Sequence, residues 1–234
     1  MATAANPHPL RPSVATATAS GIPELVELRQ GEVSLRLLVM RDAAGLAAAG
    51  GELRAQRGEV TAPSDLESAY RTITTAYHQL RADAGYAFAI RWQERIVGAT
   101  SYIGLVASPA TVPSPVLDRG GPLAVEIGHT WLAPSAQRPE LAAAVAFLLL
   151  QHAFETWQVQ RVRMRCAARD AQAAQAIAAA GLRCDGLLRG DAADGEGTLR
   201  DALVYSLLAE EWPQVRSGLL PRLELQPLIR CSAP

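Results

Sequence analysis

The chain has 234 residues, 49% of them hydrophobic and 19% charged, with a formal net charge of −1. That size and composition fit one globular core and exclude a wholly disordered protein. So small a net charge also excludes bulk electrostatic attraction to nucleic acid or to an anionic membrane.

All 22 basic residues are arginine and Asn6 is the only asparagine, a bias that together with the alanine excess fits a GC-rich coding sequence. Cys166, Cys184 and Cys231 form no Cys-x-x-Cys or Cys/His cluster. That argues against a zinc site and a disulfide scaffold, and it fits a reducing cytoplasm. The N-terminus has no apolar stretch behind a basic start, so no signal peptide is expected. The longest apolar run, Leu141–Leu150, is far shorter than the roughly 20 residues of a membrane span. A soluble cytoplasmic protein is expected.

In chain order, residues 1–21 carry Pro7, Pro9 and Pro12 among small residues and read as a disordered tail. Val33–Met40 reads as a first strand. Asp42 is placed to cap a short Ala-rich helix ending near Gly50 and Gly51. Ser64 and Glu67 form the S-x-x-E pattern of a capping box, opening a helix through Tyr70, Ile73, Tyr77 and Leu80. Tyr86–Trp92 and Ile96–Val106 read as a hairpin around Gln93, Glu94 and Arg95. The Pro- and Gly-rich loop 107–122 is long enough to serve as a substrate lid.

Val125–Trp131 is rich in β-formers, and Pro134 and Ser135 stop it. Pro139 then suits the first turn of a helix, where a missing N–H costs least. Leu141, Val145, Leu148, Leu149 and Ala153 follow at helical spacing. Arg161–Cys166 reads as a strand, and Asp170 caps an Ala-rich helix ending at Gly181. Cys184–Arg189 and Leu199–Leu208 form a second hairpin, a final helix starts near Glu210 and Pro213, and the last dozen residues look irregular. Hairpins mixed with strand–helix units indicate an α+β (mixed α/β) fold rather than a doubly wound sheet. Residues 22–218 read as one domain and 219–234 as a C-terminal tail. The leucines of that tail, Leu219, Leu220, Leu223 and Leu225, suit packing on a second subunit, so a homodimer is a further expectation.

This order, with the blocks EIGHTWLAPSAQR, HAFE, RDAQAAQAIAAAGLRCDGLLR and LRDALVYSLLAEEW, resembles the GNAT superfamily of N-acetyltransferases. Within it, the chain is similar to the branch of ribosomal-protein N-terminal acetyltransferases, from about Val33 to Gly218. The resemblance implies a central, mostly antiparallel twisted sheet with a splayed strand pair and flanking helices. It implies transfer of an acetyl group from acetyl-CoA to an amine, on a small molecule or a protein N-terminus. Pantetheine would lie between the strands at Val125–Leu132 and Arg161–Ala167, against backbone such as that of Trp131 and Leu132. The pyrophosphate would sit on N–H groups of the next helix start, at Gln137, Arg138, Pro139, Glu140, Leu141 and Ala142.

In that branch the helix start reads Q-R-x-G-x-N, and an Asn-x-x-Ser follows the next strand. Here Glu140 and Ala142 replace the glycine and asparagine, and Asp170 and Ala173 stand at the second block. Pro139 removes a donor, and Glu140 brings a carboxylate toward a phosphate. Like charges about 4 Å apart repel by ~1 kcal/mol in bulk water and several-fold more at an effective dielectric near 20. A catalytically weakened GNAT-like module that binds a ligand or a partner is therefore the second expectation.

The resemblance points to Glu126 as general base, sharing a strand face with Gly128 and Thr130, and to Tyr205 as an acid for the leaving thiolate. The bland alternatives are a Glu paired to arginine and a packed strand tyrosine. His129 falls on the other face. Arg161, Arg163 and Arg165 read as a solvated or salt-bridged face. Asp191, Asp194 and Glu196 read as a solvated turn, or as an attraction for a cationic amine, without the ligand order of a calcium site. No metal is expected.

Overall fold

Alternating apolar residues in short β-rich segments build one eight-stranded sheet, in the order β1-β2-β3-β4-β5-β6-β8-β7. The strands of this computed structural model are β1 (Glu27–Gln30), β2 (Val33–Leu37), β3 (Gly85–Trp92), β4 (Arg95–Val106), β5 (Ala124–Leu132), β6 (Arg161–Ala167), β7 (Arg183–Ala193) and β8 (Leu199–Leu208). The helices are α1 (Ala43–Arg57), α2 (Leu66–Arg81), α3 (Pro139–Gln151), α4 (Ala171–Ala179) and α5 (Trp212–Glu224). The structure describes residues 27–57, 62–106, 122–193 and 197–224. The expected tail over 1–21, nearly all of the 107–122 loop, and Asp194 and Glu196 lie outside the described residues.

Every strand pair is antiparallel except β5–β6. That pair is joined through α3, as parallel neighbours need a crossover. On one face α3 buries Leu141, Val145, Leu148 and Leu149 in a core with Leu35, Ile90, Ile127 and Val162. On the other, α1 and α2 contribute Leu46, Ala69 and Ile73 to a smaller cluster around Ala99 and Trp131. The α+β reading with a mostly antiparallel sheet describes the observed architecture. No described helix is long and apolar enough to cross a membrane.

Several local expectations move. Asp42 is not the cap: as the third residue of a 3-10 turn it accepts the Val39 N–H at 2.9 Å. Its other oxygen takes Arg36 at 2.6 Å. The first helix does not stop at Gly50 and Gly51 but runs on to Arg57. Gly50 serves close approach instead, since a Cβ there would lie 1.8 Å from the Pro63 carbonyl oxygen. The second helix starts one residue later than Ser64 predicts, with Asp65 accepting the Ser68 N–H at 2.8 Å and the Asp65 N–H reaching Ser68 Oγ. The β3–β4 turn uses Gln93 and Glu94 with φ of 48° and 63°, the left-handed pair that tight hairpins need.

At the C-terminus α5 continues to Glu224, and Leu219 is only 3% exposed within the main core. The chain therefore stays helical and packed past 218, because composition alone cannot show which leucines dock.

Candidate active site

β5 and β6 part company halfway along. Their parallel ladder covers Ala124–Ile127 against Arg161–Met164 and then stops, while β5 continues against β4 and β6 against β8. Beyond Ile127 and Met164 two backbone edges thus face each other across a fork. A bulge bends β5 at this point: the register slips opposite Thr100, and His129 sits at φ 51°. A non-glycine residue in that region marks a local constraint. The bulge also ends the simple alternation of faces on which the sequence placed His129 and Thr130. Thr130 Oγ1 instead meets buried Thr100 Oγ1 at 2.7 Å.

Glu126 lies on the last paired stretch before the fork and is 3% exposed. Arg163, its register partner on β6, donates Nε to Oε2 at 2.8 Å and brings Nη2 to the same oxygen at 2.6 Å. Arg165 donates Nε to Oε1 at 2.8 Å and reaches Asp191 of β7 with Nη1. Both carboxylate oxygens are therefore engaged, and the charge of a buried acid is offset by two guanidinium groups. A carboxylate has about four lone-pair positions, so one remains on Oε1 after these three N–H groups. Oε1 lies near Gly128, where a Cβ would stand 3.9 Å from it and 2.7 Å from Ile103 Cδ1. The Arg161 guanidinium pairs with Asp185 at 2.7 Å, and Ser206 Oγ donates to the same carboxylate at 2.8 Å. The arginine face is thus salt-bridged. Asp191 is neutralised by Arg165 and offers no unspent attraction for a cationic amine.

Tyr205 is not beside Glu126. Arg163 pairs with Ser206, so Ser206 shares the Glu126 face and Tyr205 points to the opposite one. There it is 7% exposed in the main core, and burial raises its phenol above the ordinary value.

The loop from Leu132 to Ala142 consumes most of its own donors. Gln137 Nε2 donates to the Leu132 carbonyl at 3.0 Å. The N–H groups of Gln137, Arg138 and Ala142 reach Pro134, Ala136 and Arg138 carbonyls respectively. Pro139, at the first position of α3 with Arg138 as N-cap, has none. The Leu141 amide lies in the first turn, at the positive end of the helix dipole. Arg138 adds charge nearby, with its guanidinium 5.0 Å from the Trp92 ring centroid. The Trp131 side chain packs away from the fork among α1 and α2. Asp170 caps α4 by accepting the Ala173 N–H at 2.9 Å, so both residues of that block are tied to each other.

Sequence reasoning missed a buried aromatic group behind the site. Tyr102 donates its hydroxyl to the Leu149 carbonyl at 2.6 Å and lies 3.3 Å from His152 Nδ1. Because the hydroxyl proton is spent on the carbonyl, Nδ1 carries the ring proton and donates. His152 belongs to a π-helical turn over His152–Thr156, and burial lowers its pKa to about 4. The HAFE block was the only signal. A separate cleft of about 490 Å³ between α1 and the β3–β4 turn, lined by Arg36, Asp42 and Arg95, does not border the fork. Among the described residues no group of His, Cys, Asp and Glu is arranged to hold a metal.

A family profile described as an acetyltransferase (GNAT) domain matches residues 32–183. No curated protein matches the sequence significantly. Similar solved structures include a GCN5-related N-acetyltransferase from Brucella melitensis, at 21% identity and TM-score 0.69, covering 88% of each chain. Mycobacterium smegmatis RimJ in complex with CoA-disulfide is 24% identical, with TM-score 0.65 over 84% of this chain and 92% of its own. The ribosomal-protein-S5-alanine acetyltransferase of Vibrio fischeri is 16% identical, with TM-score 0.60 over 80% and 98%. At these identities the likeness establishes the fold.

Proposed function

The chain belongs to the GNAT acetyltransferase family, and from that premise we propose that it takes acetyl groups from acetyl-CoA at the β5–β6 fork and passes them to an amine presented beside Glu126. The observation that carries this reading is the fork itself, two unpaired strand edges that end at a buried carboxylate. Such edges suit an amide-bearing chain that adds itself like a strand.

The residues present fit acetyl-CoA, with a reduced phosphate cradle. The Leu141 amide and the Arg138 guanidinium would hold the pyrophosphate. Bound there, acetyl-CoA supplies an activated thioester. The chain's own part is then positional. The remaining lone pair of Glu126 Oε1 accepts a hydrogen bond from the incoming amine, directly or through one water, and receives its proton. Arg163 and Arg165 keep the carboxylate oriented for that transfer. Gly128 lets the Ile103 side chain pack beside Glu126, since a Cβ there would lie 2.7 Å from Ile103 Cδ1. Tyr205 supports the core beneath the fork and moves no proton, so Tyr205→Phe should leave kcat within about twofold.

The acceptor is a small-molecule amine or a protein N-terminus; one neighbour is named for an alanine of ribosomal protein S5. The domain we assign runs from residue 22 through α5, and a cytoplasmic location and a homodimer belong to the same proposal. Calorimetric titration with acetyl-CoA tests the reading. Binding with a Kd of roughly 1–100 μM is expected, and no heat at millimolar concentration would sink it.

A further inference from the structure

Resting on the acetyl-transfer reading, we propose that Arg163 is a specificity-determining residue: it selects acceptors that carry an anionic group a few bonds from the reacting amine. Its guanidinium is held on Glu126 Oε2 by the Nε hydrogen bond, with Nη2 in ion-pair contact with the same oxygen at 2.6 Å. Nη1 makes no bond among the described residues. The side chain is 41% exposed while that of Glu126 is 4% exposed, so an approaching acceptor meets the cation before the anion.

On β4, Ile103 is the register partner of Glu126, and the next residue, Gly104, bears no side chain over the Arg163 end of the pair. Gly104 lies opposite at φ 56°, and a Cβ there would stand 3.8 Å from both Arg163 Nη2 and the Glu126 Cβ. The described acids that flank it on this face are engaged, Asp185 with Arg161 and Ser206, and Asp191 with Arg165. A cationic acceptor such as a polyamine would therefore meet the exposed Arg163 guanidinium first, with only the last Glu126 Oε1 lone pair left to receive it. A planar fork with one edge free matches a carboxylate, and its rigid anchoring means little side-chain entropy is lost on binding.

The test uses the full chain, with and without CoA, and two dipeptides that differ by one charge, Asp-Ala and Asn-Ala. Calorimetry of the wild type should show Asp-Ala binding about tenfold more tightly, the size of one charge-assisted hydrogen bond. In Arg163→Gln the ratio should approach one, whatever the shared change in affinity for the two peptides. An even ratio in the wild type, a ratio unchanged in the variant, or no binding of either peptide at about 10 mM would overturn the role of Arg163. Titrating the same samples with acetyl-CoA separates the two claims. Acetyl-CoA binding without an Asp preference sinks only the selectivity. An Asp preference without acetyl-CoA binding upholds Arg163 and sinks the acetyl-transfer reading.

Discussion

Glu126 is held by Arg163 and Arg165, residues 37 and 39 positions away in the chain. Glu126→Gln would remove the proton acceptor and leave two guanidinium groups facing an amide. Steady-state kinetics should show kcat falling roughly 100-fold, with acetyl-CoA affinity within about twofold by calorimetry. An unchanged kcat would take Glu126 out of the mechanism. Glu140 acts on the donor side. If its carboxylate repels pyrophosphate, Glu140→Gly should tighten CoA binding about fivefold, corresponding to ~1 kcal/mol. Equal or weaker affinity would refute that account. The sequence offered Glu126 as a base and the arginines as a salt-bridged face. That the two statements concern one cluster follows only from the parallel register of β5 and β6.

At the scale of elements, the end of α3 carries a buried ionisable ring. His152 is 6% exposed, and its pKa falls from 6.5 to about 4 because charging it would bury a cation. Between those values the unfolded chain binds a proton that the folded chain excludes, so stability rises with pH across this window and is lost on acidification. The loss amounts to about 3 kcal/mol once pH reaches the folded value. Urea midpoints should therefore drop between about pH 7 and pH 4.5, and His152→Gln should flatten that slope. The α1–α2 junction gives a second check. Gly50→Ala would drive a Cβ into the Pro63 carbonyl, where rigid backbone gives poorly. A loss of roughly 1–3 kcal/mol by denaturation is expected, whereas an unchanged midpoint would mean the junction yields freely. Composition marks Gly50 as a helix stop, and only the packed neighbour shows that it marks contact.

For the molecule as a whole, the sheet keeps one fork open and closes every other strand pair, while α3 and α5 cover one face. Phe147 of α3 and Trp212 of α5 hold their rings 6.0 Å apart, and Leu219 completes the same core. Leu219→Ala should thus cost about 2–4 kcal/mol in a chemical melt, and a chain ending at Gly218 should lose at least as much. If both are as stable as the full chain, α5 is an appendage and the domain ends where composition placed it. The sequence by itself determined the element types, the α+β class, the Pro139 helix start, the Asp170 cap and the family. All of these depend on local periodicity, backbone chemistry and residue order along the chain. Only the tertiary structure decided that the ladder stops at Ile127 and Met164, that Glu126 has both oxygens engaged, that Tyr205 faces away, and that Leu219 belongs to the core. Each depends on strand register and on contacts between distant residues, where a shift of one position turns a side chain to the other face.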